Sequence, residues 1–163
     1  MSSKRYAVSF VCSGNICRSP MADSIFRQHL DKAGLADLVD VNSAGIGGWH
    51  VGEPMEERAA QTLAAAGYAT EHAAAQVGPE HLGADLILAM DRGHYTALLR
   101  LVEDPAKVRM FRSFDPAAGP DDPADLEVPD PYYGPNEDFD AVLSMVEAAM
   151  PGLVEFVRAQ VTD

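Results

Sequence analysis

The chain has 163 residues and is 47% apolar, which fits one globular domain that buries its own core. Its formal net charge of -13 argues against nucleic acid or an anionic membrane as the main partner, because such partners need a basic surface. The 2 cysteines are too few for a disulfide framework, which favours a reducing compartment, so we expect a cytoplasmic protein. We also expect it to be a monomer.

The first residues resemble the start of a signal peptide, because Lys4 and Arg5 precede an apolar run. The run at 6–12 is too short for that role and leads into Gly-Asn-Ile-Cys-Arg, with no small-residue cleavage site. No apolar segment approaches the length that spans a bilayer. We therefore expect neither a signal peptide nor a membrane segment.

Short apolar runs alternate with amphipathic patterns along the chain. The first run, YAVSFVC at 6–12, is nearly continuous, as expected of a strand buried on both faces. Further strands are predicted at 39–45, 84–90 and 107–111. In the first helix, Ser19 is the predicted N-cap, Pro20 the first residue and Gly34 the end.

The remaining helical patterns each follow a predicted strand or close the chain. They lie at 54–66 before Gly67, at 92–101, at 138–149 and at 153–161, with a break at Pro151 and Gly152. The alternation predicts a single domain over 1–163, an α/β fold with an open, twisted, four-stranded parallel sheet and helices on both faces. Such sheets bind ligands beyond the carboxyl ends of their strands, so site residues should follow strands.

The loop after the first strand, CSGNICRS at 12–19, has the chemistry of an anion site. Free backbone N–H groups converge at a helix N-terminus, and the helix dipole adds positive potential. Arg18 adds a planar donor fork that suits two oxygens of a phosphate. The same donors stabilise the thiolate of Cys12, and the hydroxyl of Ser19 is placed to bond its sulfur.

Cys12 has a plainer alternative, because free cysteine is among the most buried residue types and this one ends a strand. The Cys-x5-Arg-Ser spacing between a strand and a helix favours chemistry over packing. Gly14 and Asn15 tolerate the left-handed backbone that a loop curled around a ligand often needs. We therefore predict a phosphate-binding loop.

Two segments carry a resemblance to a known family. VCSGNICRSPMA at 11–22 and DPYYG at 130–134 resemble the low-molecular-weight protein tyrosine phosphatases. Shorter matches span essentially the whole chain: NSAG at 42–45, Trp49, AAQV at 74–77, AMDR at 89–92 and SFDP at 113–116. The resemblance implies hydrolysis of phosphotyrosine in proteins and of small aryl phosphates through a cysteinyl-phosphate, with inorganic phosphate as product and no cofactor.

The resemblance also implies roles for individual residues. Cys12 is the nucleophile, Arg18 holds the phosphate and Asp130 is the general acid. From the residues alone, other acids of the long Pro- and Asp-rich loop at 115–135 compete with Asp130, namely Asp121, Asp122, Asp125 and Glu127. The other predicted substrate-binding residues are Ser13, Gly14, Asn15, Ile16, Cys17, Trp49, His50, Tyr132 and Tyr133.

Trp49, Tyr132 and Tyr133 are predicted walls for an aryl ring, and the alternative is that these rings pack in the core or on the surface. By resemblance, a hydrogen-bond network behind the loop contains Asn15, Ser19, Ser43 and His72. The other histidines, which are His29, His50, His81 and His94, show no paired ligand spacing, so no metal site is predicted.

Cys17 is the predicted redox partner of Cys12. A curled loop can bring the two Cα atoms within the roughly 7 Å that a disulfide requires, and a nearby thiol traps a sulfenic acid reversibly. The resemblance implies the same switch. The alternative is that Cys17 is a small residue that packs the loop.

Three other functions compete with the phosphatase. Arsenate reductases share the loop but use further downstream cysteines, and none follows Cys17. A non-catalytic phosphotyrosine-binding module would not need Cys12, Arg18 and Asp130 together. The segment GIGGWHV at 45–51 begins like a dinucleotide-binding loop, but His50 occupies the place of its third glycine.

Two positions depart from the family pattern. Pro129 stands where an acid usually precedes the Asp-Pro-Tyr-Tyr segment, and Ala75 stands where arginine is frequent. We expect the first to affect the motion or the proton affinity of the Asp130 loop and the second to loosen a structural contact.

Overall fold

The computed structural model describes residues 5–118 and 126–162. Its strands are β1 (Tyr6–Cys12), β2 (Val39–Gly45), β3 (Leu86–Ala89) and β4 (Val108–Met110). All strand pairs are parallel, and the spatial order is β2-β1-β3-β4. The order therefore reverses direction at β1, and the predicted four-stranded parallel sheet is confirmed.

The helices are α1 (Arg18–Lys32), α2 (Glu57–Ala65), α3 (Pro79–Leu82), α4 (Arg92–Leu99) and α5 (Glu137–Val161). Helices α1, α2 and α5 pack together on one face of the sheet, and α3 and α4 lie on the other, so helices cover both faces as predicted. Within the described ranges, no helix combines the length and the apolar character needed to cross a membrane.

The continuous apolar pattern of β1 follows from its position between two cores. Phe10 faces the larger core, where it packs edge-on against Phe26 of α1 and Phe111, with ring centroids 5.5 and 5.8 Å away. The next residue, Val11, faces the smaller core and packs with Leu98 of α4. Both faces of β1 are therefore buried, and its carboxyl end is held firmly at the centre of the sheet.

The start of α1 differs from the prediction. The helix begins at Arg18 with Cys17 at the N-cap position, so the prediction that Ser19 is the N-cap is wrong. Ser19 is fully buried in the first turn, where its hydroxyl contacts the sulfur of Cys12. The end of the helix is as predicted, because Gly34 has the left-handed φ of 75° that suits glycine after a helix.

Helix α5 also differs, because it runs unbroken past Pro151 and the predicted break is wrong. Buried side chains on both sides of the proline, including Met150 and Leu153, hold this stretch in the helical conformation. A Cβ on Gly152 would lie 2.2 Å from the carbonyl oxygen of Phe114, so glycine here permits close approach of the helix to a turn.

Candidate active site

A cavity of about 450 Å³ opens beyond the carboxyl end of β1, where the strand order reverses. Its walls are Cys12, Ser13, Gly14, Ile16, Cys17, Arg18, Trp49, His50, Asp130, Tyr132 and Tyr133. Of the predicted substrate-binding residues, Asn15 is the exception, because it is fully buried and its side chain points behind the loop. The cavity therefore joins residues that follow three different strands.

The sulfur of Cys12 lies at the base of this cavity and is bonded from behind. Cys12 is buried at the end of β1, and its Sγ is 2.9 Å from Oγ of Ser19. That hydroxyl oxygen accepts a hydrogen bond from Nδ2 of Asn15 at 2.7 Å. Its own proton can point either at the sulfur or at the Ala44 carbonyl oxygen 3.5 Å away, and a thiolate at 2.9 Å is the nearer and charged acceptor, which makes Ser19 a donor to a thiolate.

Asn15 holds the loop in shape through every polar group of its side chain. It has a left-handed φ of 60°, as its residue type predicted. Its Nδ2 also donates to Oγ of Ser43 at 3.0 Å, and its Oδ1 accepts from the backbone N–H of Ala75 at 2.9 Å. His72 donates from Nε2 to the Asn15 carbonyl oxygen at 2.6 Å. Ala75 thus contributes its backbone N–H to this network, and that hydrogen bond does not depend on the size of its side chain.

Two glycines give the loop room. A Cβ on Gly45, at the end of β2, would lie 2.8 Å from the carbonyl oxygen of Ser13. Gly14 tolerates a left-handed φ by residue type but is not among the residues with positive φ. Its use is steric instead, because a Cβ there would lie 3.0 Å from the imidazole of His50 at the cavity wall.

Arg18 is almost fully buried, and its guanidinium is held on one side. Nη1 donates to Oδ2 of Asp91 at 2.9 Å and to the carbonyl oxygen of Val128 at 3.0 Å, which uses both of its protons. Nη2 donates to Oγ of Ser13 at 3.3 Å and lies 3.6 Å from Oδ2 of Asp130. The Nη2 side is therefore directed at the cavity.

Asp91 supplies the negative charge that a buried guanidinium needs. Burial on its own would raise the pKa of Asp91, but the backbone N–H of His94 and the Arg18 guanidinium outweigh it and lower the pKa. The carboxylate is therefore ionised at neutral pH. Sequence reasoning missed this residue, although it directly follows a predicted strand within the AMDR segment.

His94 was considered only as a metal ligand and is a second residue that sequence reasoning missed. It is buried, and its Nε2 lies 2.9 Å from Oγ of Ser13. Burial, followed by the charge of Arg18, lowers the pKa of His94 to about 4, although Asp91 and Asp130 act in the opposite direction. The imidazole is therefore neutral near pH 7 and contacts the cavity wall directly.

Asp130 lies at the mouth of the cavity with its side chain 41% exposed. Its Oδ1 accepts from the backbone N–H of Tyr132 at 3.1 Å, which orients the carboxyl group and leaves Oδ2 toward Arg18. Glu127 is engaged elsewhere, because its Oε2 accepts from the backbone N–H of Arg92 at the start of α4. The other candidate acids, Asp121, Asp122 and Asp125, lie outside the described residues.

The segment that carries Asp130 is attached at both ends. Before it, the backbone N–H of Val128 donates to the Met90 carbonyl oxygen at 2.7 Å, while Pro129 is exposed. After it, Arg58 of α2 donates from Nη2 to the Tyr132 carbonyl oxygen and from Nη1 to the carbonyl of Gly134, both at 2.8 Å. Arg58 was missed in the sequence because it lies 74 positions from Tyr132.

Arg58→Ala is expected to lower kcat about 3- to 30-fold for aryl phosphates with poor leaving groups, because two charge-assisted bonds that position the Asp130 segment are lost. The measurement is kcat for two aryl phosphates whose phenols differ in pKa. Arg158→Ala removes an exposed arginine paired with Glu155 and serves as the control. Equal kcat values for Arg58→Ala and wild type would show that the hydrogen bonds of Arg58 to the Asp130 segment do not contribute to catalysis.

The three aromatic residues form the rim of the cavity. Trp49 is 72% exposed and Tyr133 90% exposed, so the alternative that they are core residues is wrong. The rings of Tyr132 and Tyr133 pack edge-on with centroids 4.8 Å apart. The Trp49 ring lies over Gly47, where a Cβ would come within 2.1 Å of it, so this exposed ring rests against backbone.

Cys17 lies in the wall of the same cavity as Cys12, and both are free, buried cysteines. Burial raises the pKa of Cys17 to about 12, with further contributions from the negative charges of Cys12, Glu56 and Asp130. Cys17 is therefore a protonated thiol at neutral pH and does not compete with Cys12 as a nucleophile.

A larger surface groove of about 1020 Å³ runs between α1 and the outer edge of β2. Arg5 and Arg27 reach across this groove and donate to the carbonyl oxygens of Val39 and Val41. These arginines cover the outer edge of β2 at Val39 and Val41, while Gly45 at its other end pairs with Gln76. Because both cysteines lie in the smaller cavity, the candidate active site is there and not in the groove.

Comparison with known proteins identifies the class of this chain. Residues 7–163 match the family model described as "Low molecular weight phosphotyrosine protein phosphatase". The match shows that the chain is a protein-tyrosine phosphatase, which is a hydrolase. Specifically, the chain belongs to the low molecular weight phosphotyrosine protein phosphatase family, whose substrates are phosphoproteins.

Individual relatives agree with this assignment over nearly the full chain. "Low molecular weight protein-tyrosine phosphatase A" of Mycobacterium tuberculosis is 55% identical over 150 residues, which cover 92% of this chain and 90% of that protein. The "Low molecular weight protein-tyrosine-phosphatase" of Streptomyces coelicolor is 51% identical over 160 residues, 96% of both chains. The crystal structure of YfkJ from Bacillus subtilis superposes with a TM-score of 0.88 at 32% identity, covering 98% of this chain and 99% of that one.

Proposed function

We propose that this phosphatase hydrolyses phosphotyrosine in proteins and small aryl phosphates through a phosphorylated Cys12, within a single phosphatase domain over 1–163. One observation carries the proposal. Cys12, Arg18 and Asp130 line one cavity, with the guanidinium fixed by Asp91 and 3.6 Å from the Asp130 carboxylate. This arrangement supplies a nucleophile, an anion holder and a proton donor to one bound group.

In the first step, the Cys12 thiolate attacks phosphorus and a sulfur–phosphorus bond forms. The bond from phosphorus to the phenolic oxygen breaks, and the protonated Asp130 carboxyl gives its proton to that oxygen. Arg18 and the loop N–H groups hold the other phosphoryl oxygens, with Ser13, Gly14 and Ile16 among the residues around them.

In the second step, water attacks the phosphorus of the cysteinyl-phosphate and Asp130 accepts its proton. The sulfur–phosphorus bond breaks, inorganic phosphate is released and Cys12 returns as a thiolate. Ser19 stabilises that leaving thiolate through its hydroxyl, which Asn15 orients at 2.7 Å. Ser43 and His72 support the proposal because they tie Asn15 and its backbone in place.

The rim of the cavity favours an aryl phosphate. Trp49, Tyr132 and Tyr133 offer apolar faces on which a phenyl ring packs while its phosphate reaches Cys12. His50 lies in the same wall beside Gly14. A phosphotyrosine side chain combines this aryl ring with the phosphate monoester that the loop holds.

We also propose that the protein acts as a monomer in the cytoplasm, without nucleic acid or membrane as a partner. Cys12, Arg18 and Asp130 meet within one chain, so the proposed chemistry needs no residue from a second copy. The net charge of -13 disfavours polyanionic partners, and a site built from free thiols suits a reducing compartment.

The test of the function is an assay with a phosphotyrosine peptide and a chromogenic aryl phosphate, with isolation of the phosphorylated enzyme after rapid acid quenching. Release of phosphate with a phosphocysteine at residue 12 supports the proposal. Binding without turnover would instead show a phosphotyrosine-binding module. Arsenate-dependent thiol oxidation without phosphatase turnover would show the reductase, although the chain has only 2 cysteines for such a relay.

We further propose that Cys17 protects Cys12 from irreversible oxidation. A peroxide converts the Cys12 thiolate to a sulfenic acid, and Cys17 then attacks that sulfur to form a disulfide and release water. Burial keeps the pKa of Cys17 high, but oxidation of Cys12 removes one of the negative charges that raise it. Because Cys12 is oxidised first and Cys17 attacks afterwards, Cys17 is the resolving thiol.

Wild-type enzyme treated with hydrogen peroxide is expected to lose activity, lose the mass of two hydrogen atoms and recover most of its activity with dithiothreitol. Cys17→Ser is expected to lose activity without comparable recovery, because its Cys12 is oxidised further. Mass spectrometry and the recovered rate measure both outcomes. Equal recovery of the two proteins would contradict the switch.

A further inference from the structure

Ser13, His94 and Asp91 form a connected hydrogen-bond chain beside Cys12, and the two-step mechanism gives no role to the Ser13 hydroxyl or to His94. Ser13 lines the cavity, and its Oγ lies 2.9 Å from Nε2 of the buried His94. His94 in turn packs on Asp91, the residue that fixes Arg18. The direction of each hydrogen bond in this chain decides what Ser13 presents to a bound phosphate.

The start of α4 fixes the tautomer of His94. Asp91 is the N-cap residue and accepts the backbone N–H of His94 at 2.9 Å. In return, the backbone N–H of Asp91 donates to Nδ1 of His94 at 3.2 Å, which completes a capping box. Nδ1 must therefore carry a lone pair, so the single proton of the neutral ring is on Nε2.

The opposite tautomer fits less well. Oδ1 of Asp91 is also 3.2 Å from Nδ1 of His94, and it has a second lone pair besides the one that accepts the His94 backbone N–H. A proton on Nδ1 would face the Asp91 backbone N–H and leave that donor without its acceptor. The low pKa of His94, about 4, also excludes protonation of both nitrogens near pH 7.

Ser13 consequently receives two hydrogen bonds. Nε2 of His94 donates to its Oγ at 2.9 Å, and Nη2 of Arg18 donates to the same oxygen at 3.3 Å. A hydroxyl oxygen has two lone pairs and one proton, so these donors fill its acceptor capacity. The remaining Ser13 proton is left for the cavity, where Cys12 and the loop surround the space for an anion.

We propose that Ser13 donates its hydroxyl proton to an oxygen of the bound phosphoryl group, and that His94 is the positioning residue that imposes this direction. The proposal rests on the proposed function, because it takes a phosphoryl group to occupy the cavity. The Ser13 hydroxyl then joins the loop amides and Arg18 as a further donor to the phosphoryl oxygens. Its direction is set by His94, which lies 81 positions away in the chain. With the opposite tautomer, Ser13 would instead point a lone pair at the anion and weaken its binding.

Ser13→Ala is expected to weaken binding of inorganic phosphate roughly 10- to 100-fold, as measured by titration calorimetry, because a hydrogen bond to a charged oxygen is lost. KM for a chromogenic aryl phosphate is expected to rise by a similar factor with little change in kcat, since these oxygens are charged before and during reaction. Ser13→Thr keeps the hydroxyl and is expected to stay within about 3-fold of wild type.

Two substitutions of His94 separate positioning from capping. The side-chain oxygen of asparagine occupies the position of Nδ1. His94→Asn therefore still accepts the hydrogen bond from the Asp91 backbone N–H but has no group that reaches Ser13. Gln extends an N–H to the Nε2 position, so His94→Gln is expected to bind phosphate close to wild type, and His94→Asn roughly 3- to 10-fold more weakly. His81→Asn is the matched control, because His81 is another buried capping histidine outside the cavity wall and should bind phosphate like wild type.

Ser13→Ala with unchanged or tighter phosphate binding overturns the proposal, as does a nitrogen NMR spectrum that places the His94 ring proton on Nδ1. Equal weakening by His94→Asn and His94→Gln would reduce His94 to a packing residue. Should wild type bind phosphate without hydrolysing aryl phosphates, the proposed function fails while the phosphate titrations still decide the role of Ser13. Ser13→Ala changes only a half-buried side chain, so the titration does not depend on the folding of the His94 variants.

Discussion

Cys12→Ser is expected to reduce turnover of aryl phosphates by about five orders of magnitude while the protein still folds and binds phosphate. A serine hydroxyl ionises far less readily than a thiol, so the loop donors that stabilise a thiolate do not produce an alkoxide at neutral pH. The substitution keeps a hydrogen bond to Ser19, because a hydroxyl replaces the thiol whose sulfur lies 2.9 Å from the Ser19 oxygen.

The phosphate site itself should survive in this variant, because Arg18 remains fixed by Asp91 and Val128. Removing the thiolate also removes a negative charge from the base of the site, so Cys12→Ser should bind inorganic phosphate at least as tightly as wild type. Calorimetry with phosphate and a stopped assay of phosphate release measure the two properties separately.

Cys17→Ser provides the matched control, since it makes the same replacement at the other buried cysteine of the cavity. It should retain turnover within about tenfold of wild type, because Cys17 forms no bond to phosphorus in the mechanism. Turnover by Cys12→Ser above about 1% of wild type would refute the assignment of the nucleophile, and loss of activity in both variants would indicate damage to the loop.

The phosphate-binding loop was predictable from the sequence because its parts are local. Cys12, Asn15 and Arg18 lie within one turn between a strand and a helix, so residue type and spacing were enough to indicate an anion site. The left-handed Asn15 follows from its residue type in the same way. The strand pattern was equally informative, since a continuous apolar run is what a strand between two cores requires.

The groups that hold Arg18 and Asp130 in place were not predictable, because their partners are distant in the chain. Arg18 meets Asp91 across 73 positions and the Val128 carbonyl across 110. The second contact uses a backbone oxygen, which has no sequence signature at all. The capping box of Asp91 and His94 is local in the chain, but such a box marks the start of a helix and does not indicate a site.

The errors in secondary structure have the same origin in tertiary contacts. Ser19 has the residue type of an N-cap, but the sulfur of Cys12 and the amide of Asn15 engage its hydroxyl instead. Pro151 has the residue type of a helix breaker, yet the buried face of α5 keeps the helix continuous. In both cases a local preference worth about 1 to 3 kcal/mol is outweighed by packing and site contacts.

Asp130→Asn tests the second half of the chemistry and is expected to lower kcat about 10²- to 10⁴-fold for aryl phosphates with poor leaving groups. An amide cannot donate a proton to the departing phenolate, which must then leave as a full anion. A nitrophenolate is stable as an anion, so the rate of its release should fall much less in this variant. The substitution is nearly isosteric, and its Oδ1 still accepts the Tyr132 backbone N–H.

The second step should also slow in Asp130→Asn, because the new amide cannot accept a proton from the attacking water. A nitrophenyl substrate should then give a rapid burst of one phenol per active site, followed by slow turnover limited by hydrolysis of the cysteinyl-phosphate. Rapid-mixing absorbance measures the burst. A plot of log kcat/KM against the pKa of the leaving phenol should be steeper for the variant than for wild type.

Glu127→Gln is the matched control for Asp130→Asn. It neutralises another carboxylate of the same segment, which contacts Arg92 at the start of α4 and lies outside the cavity wall. A side-chain amide oxygen keeps that contact, so kcat and the slope of the leaving-group plot should match wild type. If Glu127→Gln steepened the slope and Asp130→Asn did not, the proton donor would be Glu127. The position of Asp130 favours it as the donor, because its carboxyl group lies in the cavity wall, 3.6 Å from Nη2 of Arg18.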